Sequence, residues 1–102
     1  MIVHAVFCAI RPEISADAIA RVLRALDALK EQCAGLVSLE SGLNIDLEQK
    51  SQGYSHGFLM RFETRDALEA YAVHRAHIAV AGELVALCVG GAEGIMVFDL
   101  DI

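Results

Sequence analysis

The sequence has few basic residues and no long apolar run, and each shortage argues against a class of partner. Lys and Arg total 8 against 14 Asp and Glu, which gives a net charge of −6, whereas nucleic-acid binding relies on clustered basic side chains. A membrane-spanning helix takes about 20 consecutive apolar residues, and the runs in this sequence are much shorter. Residues 1–10 lack the basic start of a secretory signal. We therefore expect a cytoplasmic protein that binds neither nucleic acid nor membrane.

Cysteine is also scarce, and its placement argues against a disulfide framework. Cys8, Cys33 and Cys88 are odd in number, form no C-x-x-C pair and lie in apolar patterns. Such cysteines are usually buried, reduced thiols. The spacing G-x-S-x-G occurs at residues 53–57, but it lies between two predicted strands and so lacks the strand-to-helix turn of a nucleophile elbow, and the glycine-rich stretch 90–94 likewise precedes a strand instead of a helix. These features argue against nucleophilic catalysis and against a phosphate-binding loop.

Apolar residues, in contrast, are abundant for a chain of this size. They make up 56% of the 102 residues, against 22% charged residues, which is more than a small monomer hides in its own interior. A chain of this length forms one domain, which we assign to residues 1–102. The surplus of apolar residues predicts that the domain associates with a second copy of itself.

The apolar periodicity predicts strands and helical regions in the order β-α-β-β-α-β. The strands are expected at residues 2–10, 36–45, 55–63 and 94–100. This order is that of a ferredoxin-like α+β fold, with a four-stranded antiparallel sheet and helices on one face. The first and last strands are apolar on both alternating sets, so the face without helices must also be covered. We expect that face, which carries Val3, Phe7 and Leu59, to pair with the second copy in a homodimer.

The helix boundaries carry recognisable caps. Ser15 and Thr64 are plausible N-caps of the two helical regions. The second region is expected to continue through a further helical stretch from about residue 76 to residue 89. Gly35 is expected to close the first helix at the C′ position.

Histidine and aromatic residues are the candidates for function. They are His4, His56, Phe58, Tyr71, His74 and His77. We expect the first and third strands to be parallel neighbours, so that His4 and His56, each near the start of its strand, lie at one end of the sheet. The second helical region would return toward the same end. All four histidines and the tyrosine would then line one pocket on the helix-covered face.

Histidines in such a pocket have three common uses: metal binding, acid–base catalysis and ligand binding. His74 and His77 are three residues apart, as on one helical face, but no H-E-x-x-H or carboxylate-rich spacing accompanies them, so we expect no metal. An imidazole beside a phenol suits acid–base chemistry on a carbonyl compound without a cofactor. The same groups would also serve to orient a small apolar ligand without any chemistry.

Four segments together resemble the stress-responsive dimeric α/β-barrel, or Dabb, family. They are I-V-H-A-V-F at residues 2–7, G-Y-S-H-G-F-L-M-R-F-E-T at 53–64, D-A-L-E-A-Y-A-V-H-R-A-H-I at 66–78 and V-F-D-L at 97–100. The resemblance covers nearly the whole chain, and its most specific part is the third strand followed by Tyr71, His74 and His77. It implies a homodimer in which two ferredoxin-like sheets close into a barrel.

The resemblance also implies roles for individual residues. One plant member of the family is a cofactor-free polyketide cyclase that performs an aldol condensation. By similarity, His77 would be the general base and Tyr71 its hydroxyl partner, with His4 and His56 lining the same cavity. His74 matches the first histidine of the family's H-P-A-H run.

One residue departs from the family pattern, and the implied function has alternatives. Arg75 stands where the family usually has proline, which would fix the start of the following helix and with it the orientation of His77. The implied activity is that of a cofactor-free lyase or cyclase for a small carbonyl or polyketide-like compound. Since many members have no assigned activity, a non-catalytic ligand-binding or stress protein is the alternative. A cofactor-independent monooxygenase rests on fold analogy alone.

Overall fold

The strands and helical regions follow one another in the predicted order β-α-β-β-α-β, with the second helical region divided into two helices. The computed structural model describes all 102 residues. The strands are β1 (Ile2–Cys8), β2 (Leu36–Leu43), β3 (His56–Phe62) and β4 (Ile95–Asp101), and the helices are α1 (Ala16–Ala28), α2 (Arg65–Val73) and α3 (Arg75–Val85). The strands form one sheet in the order β2-β3-β1-β4, and all neighbours are antiparallel. The ferredoxin-like α+β prediction is confirmed. None of the three helices has the length and hydrophobicity that a bilayer-spanning segment needs.

The predicted helix caps are present, but the end of the first helix differs from the prediction. The Ser15 hydroxyl accepts a hydrogen bond from the Ala18 amide, and the Thr64 hydroxyl accepts one from the Ala67 amide. Helix α1 ends at Ala28 and a short 3₁₀ turn follows, so Gly35 is not its C′ residue. Gly35 instead lies just before β2 with φ +85°, where a Cβ atom would come within 2.5 Å of the Ala67 Cβ. Its lack of a side chain lets α2 begin close to the sheet.

The core lies between the helices and one face of the sheet. On β3 the alternation is as predicted, because Phe58, Met60 and Phe62 are buried against the helix layer while Leu59 lies on the other face. Leu26 of α1 is 2% exposed and belongs to the same cluster. Burial of this face holds the three helices in fixed positions over β1 and β3.

The other face of the sheet has no helix over it. Phe98 and Leu100 of β4, which lie on this face, are 51% and 54% exposed. The Phe7 ring lies across Gly57 on the neighbouring strand, where a Cβ atom would come within 2.8 Å of it, and is 6.3 Å from the Phe98 ring centroid. This apolar surface, which we call the open face, is the one predicted to bind a second copy.

The direction of the third strand differs from the prediction. Strands β1 and β3 are antiparallel, so His4 is paired with Met60, and His56 is paired with Cys8 at the other end of β1. The chain reverses between β2 and β3, which places the start of β3 beside the end of β1. The predicted parallel arrangement is therefore wrong, and so is the shared end for His4 and His56.

Candidate acid–base site

The junction between α2 and α3 is a single extended residue, His74. Its backbone has φ −68° and ψ 132°, and it is at once the C-cap of α2 and the N-cap of α3. The His74 Nδ1 accepts a hydrogen bond of 3.0 Å from the Ala76 amide. Arg75 is the first residue of α3. The histidine cap therefore starts this helix without the proline that the family pattern has at position 75.

The junction fixes the ring of His77. The His77 Nδ1 lies 3.2 Å from the carbonyl oxygen of Ala72, in the last turn of α2. A carbonyl only accepts, so Nδ1 carries the hydrogen and Nε2 keeps its lone pair. Burial lowers the pKa of His77, and the neighbouring His4 and His74 lower it further, against the opposing effect of the bond to Ala72. At neutral pH His77 is thus a neutral imidazole with a proton-accepting Nε2.

Tyr71 lies directly against His77. The two ring centroids are 4.1 Å apart with an interplanar angle of 38°, and Tyr71 is 2% exposed. Its hydroxyl donates a hydrogen bond of 3.4 Å to the sulfur of Met60. Burial raises the pKa of Tyr71, and a smaller contribution comes from Cys33. Tyr71 therefore remains a neutral phenol and acts as a hydrogen-bond donor.

His4 completes the group from the sheet side. Its ring is edge-on to Tyr71, with centroids 6.0 Å apart, and its Nδ1 is 2.5 Å from a carboxylate oxygen of Asp99 on β4. The site thus combines one side chain from each of β1, α2, α3 and β4.

Asp99 is the residue of this site that was not predicted from the sequence. A carboxylate in a strand of apolar residues was the available signal, but the β1–β4 register is needed to pair it with His4.

His56 and Phe58 lie elsewhere on the helix-covered face. The His56 Nδ1 is 2.8 Å from the Ser55 hydroxyl. Both His56 and Phe58 line a cavity of about 10 Å³, with Leu23 and Leu84 among its apolar walls, which is room for about one water. The predicted meeting of four histidines is therefore wrong for His56, because β3 runs opposite to β1. His4, His74 and His77 do come together near Tyr71.

A larger cavity lies on the open face. Its volume is about 910 Å³, and its lining includes Phe7, Leu59 and Met96 together with residues of the connection between β2 and β3. Neither His4 nor His77 lines it. This cavity thus belongs to the surface predicted to bind the second copy.

The remaining reactive groups are the three thiols. Cys8, Cys33 and Cys88 are free and buried, as predicted. Burial raises the pKa of Cys8 to about 12, with Cys88 as a further cause. A thiol is a poor nucleophile when its pKa is raised in this way.

No three His, Cys, Asp or Glu side chains are grouped so that they could hold a metal ion. The polar groups gathered around Tyr71 on the helix-covered face are imidazoles, the phenol itself and the Asp99 carboxylate.

Known proteins share this sequence pattern and fold. Residues 2–102 match the model of a protein family, the stress responsive A/B barrel domain. The stress-response A/B barrel domain-containing protein HS1 of Arabidopsis thaliana is 23% identical over 96 residues, which are 94% of this chain and 84% of the relative. A dimeric ferredoxin-like protein of unknown function from Jannaschia sp. CCS1 is 42% identical, with 99% of this chain and 98% of that chain covered and a TM-score of 0.89. The hydroxynitrile lyase of Passiflora edulis has the same fold, at 17% identity over 99% of this chain and 92% of its own, with a TM-score of 0.84.

Proposed function

Because the chain belongs to the stress-responsive A/B barrel domain family, we propose that it is a homodimeric, cofactor-free lyase or cyclase acting on a small carbonyl or polyketide-like compound. His77 is the general base, and Tyr71 is the hydroxyl partner. The observation that carries this proposal is the bond from the His77 ring to the Ala72 carbonyl, because it leaves Nε2 as the proton acceptor.

The electrostatics of His77 suit a base at neutral pH. A base must be unprotonated before the reaction, and the lowered pKa of His77 supplies that form. The Ala72 carbonyl also stabilises the imidazolium that forms after proton uptake, since it accepts the Nδ1 hydrogen in both protonation states. The same contact therefore orients the ring and accommodates its charge.

Tyr71 is suited to donate to an oxygen that becomes negative. Its hydroxyl donates to the thioether of Met60, which is a weak acceptor. Turning the hydroxyl toward a carbonyl or alkoxide oxygen of a substrate would exchange a weak bond for a stronger one. Because Tyr71 is 2% exposed, that hydrogen bond would form away from water, where it stabilises a developing negative charge more strongly.

The proposed chemistry needs no external oxidant or reductant. With a hydroxynitrile, Nε2 of His77 takes the hydroxyl proton, the oxygen forms a carbonyl, and the C–C bond breaks. The departing cyanide then takes up the proton that His77 holds, so that an aldehyde and hydrogen cyanide result and the neutral imidazole is restored. In a cyclisation, His77 removes a proton from the carbon between two carbonyls. The enolate then attacks a further carbonyl of the same molecule, and the new alkoxide takes up the proton that His77 holds.

The other predicted residues would bind the ligand. His4 borders Tyr71 directly, whereas His74 is engaged through Nδ1 as a helix cap and has only Nε2 to offer. Phe58 and His56 line the small apolar cavity farther along the sheet, which would have to widen to take the apolar end of a ligand. Small apolar carbonyl compounds fit this combination of polar and apolar groups.

The second copy would bind through the open face. Phe98 and Leu100 are more than half exposed there, which is unfavourable for large apolar side chains in an isolated subunit. The relative from Jannaschia sp. CCS1, which is 42% identical, is described as dimeric. Three free, buried thiols fit a reducing compartment such as the cytoplasm.

Turnover of defined compounds tests the catalytic proposal. The purified protein is offered a hydroxynitrile such as mandelonitrile and, separately, a linear poly-β-keto thioester, and aldehyde release or cyclised product is measured. We expect His77→Ala to lower kcat/KM by about 10²–10⁴ and Tyr71→Phe by about 10²–10³. Tyr54→Phe, which alters a tyrosine of the open-face cavity, is the matched control and should leave turnover unchanged.

Three results would contradict the catalytic proposal. Turnover that is unchanged in His77→Ala would show that His77 is not the general base. Saturable binding of these compounds without any product would favour the non-catalytic alternative. Consumption of dioxygen during turnover would favour the monooxygenase alternative.

A charge on the open face tests the dimer. We expect Phe98→Asp to sediment as a monomer, because the carboxylate would be buried without a partner at the interface. Val73→Asp is the control, since Val73 is 75% exposed on the helix layer. If Phe98→Asp remains dimeric at the concentration where the wild type is dimeric, the open face is not the interface.

A further inference from the structure

The Asp99 carboxylate has a place in the site that the proposed roles of His77 and Tyr71 leave unexplained. It lies on β4 opposite His4 in the strand register, and one of its oxygens is 2.5 Å from the His4 Nδ1. The His4 side chain is 13% exposed, whereas that of Asp99 is 43% exposed. The pair therefore has its imidazole inside the site and its carboxylate at the edge of the sheet.

Stability is a weak explanation for this pair. Interactions of this kind with a partner at the surface typically contribute little, because solvent screens them and the side chains lose freedom. Asp99 also lies between two large apolar residues of β4, Phe98 and Leu100. What the pair does supply is a fixed direction for the His4 ring, since a carboxylate accepts only from a nitrogen that carries hydrogen.

Two histidine rings beside Tyr71 each have Nδ1 bonded to an oxygen of the protein. His77 gives its Nδ1 hydrogen to the Ala72 carbonyl, and His4 gives its Nδ1 hydrogen to Asp99. In both rings the nitrogen left over is Nε2, and both rings flank the Tyr71 phenol at 4.1 and 6.0 Å between centroids. The site therefore presents two proton-accepting nitrogens and one hydroxyl donor.

We propose that Asp99 is a positioning residue, which holds His4 in the tautomer with hydrogen on Nδ1 so that its Nε2 serves the site as a second proton acceptor. The catalytic part of this inference rests on the proposed lyase or cyclase function. A second acceptor is useful in that chemistry because a proton is removed at one atom and delivered at another. The Nε2 of His4 would then take up the proton that His77 has removed and deliver it to the departing or newly formed anion.

The substrate class follows from the same donor and acceptor pattern. Two Nε2 acceptors and one phenol donor match a neutral molecule that offers either a hydroxyl group, which both donates and accepts, or an acidic C–H together with a carbonyl oxygen. A free carboxylate would face two lone pairs and would be repelled. We therefore expect the hydroxynitrile or the β-keto thioester to be preferred over the corresponding free acids.

Nitrogen-15 NMR of the histidine rings tests the tautomer without any substrate. In wild-type protein above the titration range of its histidines, we expect the His4 Nδ1 to give a pyrrole-type signal and Nε2 a pyridine-type signal. Asp99→Ala removes the acceptor, and the hydrogen should move to Nε2 of His4. Asp101→Ala, on the same strand and face two residues on, is the matched control and should leave the His4 signals unchanged. The ring signals of His56 and His74 report whether each variant is folded.

Kinetics then test whether the tautomer matters. Asp99→Ala should lower kcat by about a hundredfold, the lower end of what a positioned acid or base contributes. In a His4→Gln background it should have no further effect, because Asp99 acts through His4. A wild-type His4 with hydrogen on Nε2, or an unchanged tautomer in Asp99→Ala, would overturn the inference. Absence of turnover in the wild type would contradict the proposed function alone and leave the tautomer result to decide the role of Asp99.

Discussion

Replacing Gly35 by alanine should destabilise the protein more than an ordinary surface change does. Gly35 has φ +85°, and the added Cβ would come within 2.5 Å of the Ala67 Cβ in the first turn of α2. Helix α2 carries Tyr71, and its last turn holds the ring of His77. The position therefore links the packing of α2 against the sheet to the geometry of the acid–base site.

The expected magnitude has two parts. A left-handed backbone costs a residue with a side chain about 1–2 kcal/mol, and an overlap of this size in a packed region costs about 1–3 kcal/mol. Gly53→Ala separates the two, because Gly53 has φ +89° with nothing within 4 Å of its added Cβ. We expect Gly53→Ala to lower the free energy of unfolding by the backbone part alone, and Gly35→Ala by the sum.

A double-mutant cycle isolates the overlap. In Ala67→Gly the nearest atom to the new Cβ of Gly35→Ala is the residue 67 Cα at 3.9 Å, an ordinary contact. Ala67→Gly alone costs up to about 1 kcal/mol through helix propensity. The double variant should therefore be more stable than the two single effects predict, by the 1–3 kcal/mol assigned to the overlap.

Urea unfolding followed by circular dichroism measures these free energies, with every variant at the same protomer concentration because association contributes to stability. Equal losses in Gly35→Ala and Gly53→Ala, or strict additivity in the cycle, would refute the argument. Either result would mean that α2 can move away from Gly35 without cost.

Three further predictions concern single side chains. Tyr71→Phe should change the free energy of unfolding by less than about 1 kcal/mol, because it removes only a bond to a thioether; a larger loss in urea unfolding would reveal a stronger partner for the hydroxyl. His77 has a folded-state pKa below its ordinary 6.5, so the unfolded chain binds more protons below pH 6.5 and stability falls on acidification there. His77→Ala should reduce that loss between pH 7.5 and 5.5, and an unchanged slope would count against the burial argument. The Asp46 carboxylate accepts from the Ser51 hydroxyl and the Lys50 amide, which hold its pKa below 3.8. The Lys50 amide signal should therefore shift only below that pH, and Asp46→Ala should speed its hydrogen exchange at neutral pH.

Much of the fold was predictable because local signals agreed with one another. Ser15 and Thr64 are caps in the sequence and in the structure. The alternation of Phe58, Met60 and Phe62 against Leu59 identified the covered and the open faces of the sheet. The family resemblance, carried by the same segments, is confirmed by the family match over residues 2–102.

The error over His56 had a signal that could have corrected it. Residues 46–53 are a polar connection between two strands, and a short connection between neighbouring strands reverses the chain. The start of β3 must then lie beside the end of β1, where His56 is paired with Cys8. The periodicity within a strand defines which residues share a face, but the direction of β3 relative to β1 follows only from the connections between the strands.

Other parts of the site depend on information that periodicity does not contain. The pairing of Asp99 with His4 needs the register of two strands far apart in sequence. The choice of ring nitrogen in His77 needs the position of the Ala72 carbonyl. The end of α3 at Val85, short of the expected residue 89, is set where the chain turns back toward β1 through the contact between Ile10 and Cys88.

The break between α2 and α3 has a consequence for how the base is made. In one continuous helix the Ala72 carbonyl would accept from the Ala76 amide four residues on, but that amide is bound to the His74 ring. The carbonyl is thereby released from helical pairing and accepts from His77 instead. The orientation of the imidazole thus depends on a helical hydrogen bond that is not formed. A variant that fused the two helices would remove the base without touching the histidine itself.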